Sequence, residues 1–124
     1  MKKFVVTLLV GAFALTACLG SLQARPKYPP LFMEYYKDNA GVSAAAKEAK
    51  CNVCHDPKDK KIRNEYGKAV NKNLVKADFD KLKDDADGLK KKVGEALKAA
   101  ESEKNSAGKT FGEVIKAGKL PGEK

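Results

Sequence analysis

The sequence predicts an all-α domain of about four to five short helices, and three observations carry that expectation. Apolar residues recur three and four positions apart through the segments after residue 40, as one face of a helix requires. No stretch alternates apolar and polar residues as a half-buried strand would. Proline and glycine fall at the ends of the periodic segments, and no internal repeat is visible. At 124 residues, 43% of them hydrophobic, the chain has room for one small compact domain and too little apolar sequence for a membrane bundle.

The chain opens on Met1-Lys2-Lys3 and a short apolar run from Phe4 to Leu15, the form of a secretory leader. Two cuts compete. Leu15-Thr16-Ala17-Cys18 resembles a bacterial lipobox, which would leave 1–17 as leader and Cys18 as a lipidated N-terminus. A cut after Ala24 would make the leader 1–24, although Leu22 is bulky where small residues are preferred. The expected location is the periplasm, with attachment to a membrane if Cys18 carries lipid. Residues 19–30 end Arg25-Pro26-Lys27-Tyr28-Pro29-Pro30 and read as a non-helical tether, with 25–30 its proline-rich part and 31–124 the domain.

Leu31 to Tyr36 is an aromatic patch, a short helix or an arm laid over the core. Val42, Ala45, Ala46, Ala49 and Val53 share a helical face, which predicts a helix over 42–54 stopped by Asp56-Pro57. Ile62, Tyr66, Ala69, Val70, Asn73 and Leu74 predict a second over about 62–75. Phe79 and Leu82 suggest one or two turns with Asp78 as N-cap. Leu89, Val93, Ala96, Leu97 and Ala100 mark a third helix near 88–101, with Asp87 as its cap. Asp84 to Gly88 does not fit a calcium loop, since such a frame puts Lys83 and Gly94 at ligand positions. Thr110-Phe111-Gly112-Glu113 has capping-box form and opens a last helix that Gly118 and Pro121 close.

Chemistry concentrates at Cys51-Asn52-Val53-Cys54-His55. Two intervening residues put both thiols on one helical turn, spaced to bond the two vinyl groups of a haem, and the next residue is a histidine able to reach the iron. The same cysteines would also serve a redox pair, which needs a strand–helix setting. A zinc site needs a fourth ligand, and a structural disulfide is the plainest use. His55 is the only histidine in the chain, and it stands where haem attachment requires one.

On these residues the chain resembles the small monohaem c-type cytochromes, specifically over Cys51–His55 and only in architecture over about 31–121. The resemblance implies one covalent haem c, helices wrapped around it with the terminal helix packed back on the first, and single-electron transfer between exported redox proteins. Cys51 and Cys54 would be the thioether links and His55 the proximal ligand. The sequence departs from the family in having no methionine or histidine after His55. Met33 folding over the open face, a lysine or asparagine ligand, or a five-coordinate iron able to bind nitric oxide or carbon monoxide all remain open.

Tyr66, Ile62, Leu74, Leu97, Phe111 and Ile115 are expected to wall the ring, and Arg63, Tyr66, Lys61 and Asn64 to bond its propionates. No catalytic constellation is visible, so an electron carrier is expected rather than an enzyme. A peroxidase-like activity would need a distal acid–base group that the sequence does not offer. The net charge is +9, or +7 once Lys2 and Lys3 leave with the leader, and only Arg25 and Arg63 are arginines. Lysine without arginine suits acidic protein partners, anionic lipid or mere solubility, and argues against nucleic acid.

Overall fold

A computed structural model describes residues 27–123. The leader, Cys18, residues 19–26 of the tether and Lys124 lie outside the described residues. Six α-helices follow one another, and among the described residues there are no strands beyond two isolated bridges. They are α1 (Tyr28–Tyr35), α2 (Ala40–Ala49), α3 (Glu65–Asn73), α4 (Lys76–Leu82), α5 (Ala86–Glu101) and α6 (Phe111–Lys116), with a 3₁₀ turn at Lys50–Val53.

The tether expectation fails over its last residues. Pro29 and Pro30 occupy the first turn of α1, where a missing N–H costs nothing and the fixed φ suits a helix. The helix expected over 42–54 also divides. Lys50 adopts φ 51°, a region non-glycine residues seldom enter, so the chain tightens into the 3₁₀ turn that carries the first cysteine. Asp78 is not the cap of α4. It sits inside the first turn and accepts a hydrogen bond from the Val75 N–H at 3.0 Å. For α5 the cap is Asp85, which accepts from the Gly88 N–H, and not Asp87. The box at Thr110 and Glu113 forms as expected.

Helix α5 is the spine. Its stripe of Leu89, Val93, Ala96, Leu97 and Ala100 is buried, with α3, α1, α4 and α6 laid against it. The core continues through Phe32 and Tyr36 of α1, Val42 of α2, Tyr66 of α3 and Phe111 and Ile115 of α6. The start of α2 meets the end of α6. Asn39 donates to the Ile115 carbonyl at 2.6 Å, and a Cβ on Gly41 would stand 2.9 Å from the Gly118 carbonyl oxygen. Gly118 has φ 73°, which turns the chain out of α6. Beyond it Leu120 is buried and Gly122 lies against Asn64 and the Val53 carbonyl, so the tail returns to the cysteine segment.

Candidate cofactor cavity

Asn64 ties the segment 51–55 to α3. Its side-chain oxygen caps the helix by accepting from the Gly67 N–H at 2.8 Å. Its side-chain nitrogen donates to the carbonyls of Asn52 at 3.2 Å and Val53 at 3.0 Å, while its own N–H donates to the Cys54 carbonyl. Gly67 completes the junction. A Cβ there would fall 2.0 Å from the Cys54 carbonyl oxygen, so only glycine lets α3 approach this closely. Asn64 is therefore a positioning residue at this joint, and not the anion contact expected from the sequence.

Next to the joint opens a cavity of about 510 Å³, a size usual for a site enclosing an organic cofactor. Cys51, Cys54 and His55 all line it. Its apolar walls come from Phe32, Val53, Val70, Leu74, Val93 and Leu97, with the Phe79 ring held edge-on to Tyr28 at 5.6 Å. Lys50, Lys60, Lys61, Arg63 and Lys76 also line it, against the single acid Asp80. Among the described residues none of these five cations takes part in an ion pair, whereas Lys72, Lys90 and Lys92 each meet a carboxylate elsewhere. An apolar slot with unpaired cations at its margin matches a flat hydrophobic molecule bearing carboxylates.

Cys51 is exposed, Cys54 is partly buried, and both are free thiols. Burial pushes the Cys54 thiol up to about 12, with Cys51 adding and Arg63 opposing. Among the described residues no three His, Cys, Asp or Glu side chains gather to hold a metal ion by themselves. Burial, aided by Arg63, holds the His55 ring below its ordinary value and so favours the neutral form, the one that ligates metal. The ring's Nδ1 is buried and has no hydrogen-bond partner.

Of the residues expected at the site, Cys51, Cys54, His55, Arg63, Lys61, Leu74 and Leu97 reach the cavity. Tyr66 does not. It is fully buried in the aromatic core beside the cavity, its ring against Phe111 at 5.3 Å and against Phe32, which also lines the cavity, at 6.2 Å. Phe111 and Ile115 belong to that same core, and Ile62 is exposed. Met33 packs against the core from α1 without joining the cavity wall. The sequence reading missed Gly67, Asn71, Phe79 and the cations Lys50, Lys60 and Lys76. Gly67, Val70, Asn71 and Leu74 stand at helical spacing, a second stripe hidden by the more apolar one through Tyr66 and Ala69.

No protein-family model, no curated protein and no solved structure matches the chain. Among the described residues no helix is long and apolar enough to cross a membrane.

Proposed function

We propose that this chain is an exported monohaem c-type cytochrome that passes single electrons between extracytoplasmic redox proteins. The observation that carries the reading is that Cys51, Cys54 and His55 line one largely apolar cavity of about 510 Å³. A haem bound there would supply an iron that changes its charge by one electron. The two thiols would hold it covalently, and neutral His55 would offer a ring nitrogen to the metal. Lys60, Lys61 and Arg63 stand on the same segment as His55 and would meet the propionates. Val70, Leu74, Val93 and Leu97 would keep water from the ring, which favours the oxidation state of lower net charge. The lysine-rich surface would steer acidic partners and make docking sensitive to salt. Removal of the leader in the periplasm, with or without lipid on Cys18, belongs to the same reading, because haem c is attached outside the cytoplasm.

The test is expression of the full chain together with a haem-attachment system. The purified protein should gain the mass of one haem that survives denaturation, and Cys51→Ala/Cys54→Ala should carry none. Covalent colour in the double variant, or none in the parent, would overturn the proposal.

A further inference from the structure

The wall of the cavity away from the cysteines holds few groups able to bind anything at an iron. Gly67 presses on the Cys54 carbonyl and so fixes one end of a ruler. At 1.5 Å per residue Asn71 stands about 6 Å further along α3, and Leu74 about 10 Å. The lining also takes Tyr28, Pro29 and Phe32 from α1 and Lys76, Phe79 and Asp80 from α4.

These groups differ in what they can do. Tyr28 is engaged edge-on with Phe79. Lys76 and Asp80 are exposed on α4, a helix with no buried residue, where water competes for both. Asn71 is half-buried, lines the cavity and makes no hydrogen bond through its side chain. It is a neutral amide, so it can donate to a bound molecule without bringing a charge into the apolar slot. Met33, the remaining sulfur ligand of the domain, lies outside the cavity wall.

We propose that Asn71 is the distal residue of the cavity, its amide donating a hydrogen bond to a diatomic ligand such as carbon monoxide or nitric oxide bound on the side away from His55. This rests on the haem reading above and adds to it a sixth position left to an exogenous ligand. The protein would then carry one electron and also answer to a gas, since a ligand that prefers the reduced iron shifts the population toward that state.

Carbon monoxide is the probe, used on the full chain with haem attached and reduced. The parent should be high-spin and should take up the gas. Asn71→Leu should raise the carbon–oxygen stretching frequency and speed dissociation roughly threefold to tenfold, the measure of one lost hydrogen bond. Asn71→Asp keeps the shape and, read at a pH where its carboxylate is ionised, has no donor, so it should raise the stretching frequency as well, which guards against a packing defect in the leucine variant. Met33→Ala should leave both readouts unchanged. A low-spin reduced protein that refuses the gas, with the spectrum altered by Met33→Ala or Lys76→Ala, overturns the inference. So does an Asn71→Leu protein that matches the parent. A chain that attaches no haem overturns the earlier reading as well, and the covalent mass tells the two failures apart.

Discussion

Helix α3 separates two regions built from similar residues to opposite ends. On one face Tyr66 and Ala69 enter a sealed aromatic core with Phe32, Tyr36 and Phe111, ring against ring at 4.8 to 6.2 Å. On the other, Gly67, Val70, Asn71 and Leu74 face a cavity that the protein's own side chains leave open. An apolar cleft of this size beside a finished core has the form of a ligand site. The sealed side holds the domain together, and the open side is where chemistry can be added.

The largest expected effect tests the sealed side. Phe111→Ala should cost about 3–5 kcal/mol in denaturant unfolding, because the surrounding rings cannot collapse into the void. Leu74→Ala on the cavity side should cost nearer about 2 kcal/mol in the haem-free chain, since its void merges with space already there. The gap between the two should narrow in haem-loaded protein. Equal costs without haem would mean that the cavity is closed in solution. Next comes Gly67→Ala, which drives a Cβ into the Cys54 carbonyl and should cost about 1–3 kcal/mol while lowering the yield of attached haem. Asn64→Ala, which removes the cap of α3 and two bonds to the cysteine segment, should cost about 1–2 kcal/mol.

The division between the two faces explains what could be read from the sequence. Periodicity exposed the buried stripes of α3 and α5 and the box of α6, because burial of large apolar groups leaves a strong pattern. Cys51, Cys54 and His55 were legible as a group because they stand together in the sequence, and the structure brings all three to one cavity. Pro29 and Pro30 misled, since a proline reads as a breaker unless the helix is known to start at it. The break at Lys50 left no trace, because lysine does not signal the positive φ it adopts there. Tyr66 was assigned to the site and belongs to the core. Its spacing from the cysteines says nothing about which face of α3 it takes, and the close joint between Gly67 and Cys54 decides that.

Alkaline pH gives a finer view of the sealed side. Tyr36 donates to Glu101 at 2.7 Å, and burial first, then Tyr66 and Glu101, push its pKa above 10.0. A group whose pKa is raised on folding binds its proton more tightly in the native state. Its stabilising contribution is therefore complete below pH 10 and fades as pH rises beyond it. Tyr66 is raised too, mainly by burial. Ultraviolet titration should accordingly show Tyr36 and Tyr66 ionising only as the chain unfolds.

The smallest effect is the sharpest comparison of all. Among the described residues the Tyr66 hydroxyl is buried without a hydrogen bond of good geometry, and the proton of the Tyr36 hydroxyl goes to Glu101. Tyr66→Phe removes an unsatisfied group and keeps both ring contacts, so its effect should fall within about 0.5 kcal/mol of zero or be stabilising. Tyr36→Phe leaves Glu101 without its donor and should cost about 1–2 kcal/mol. If Tyr66→Phe proves the more costly of the two, its hydroxyl has a partner in solution, and the sealed core contains a bound water or a second arrangement of Tyr36.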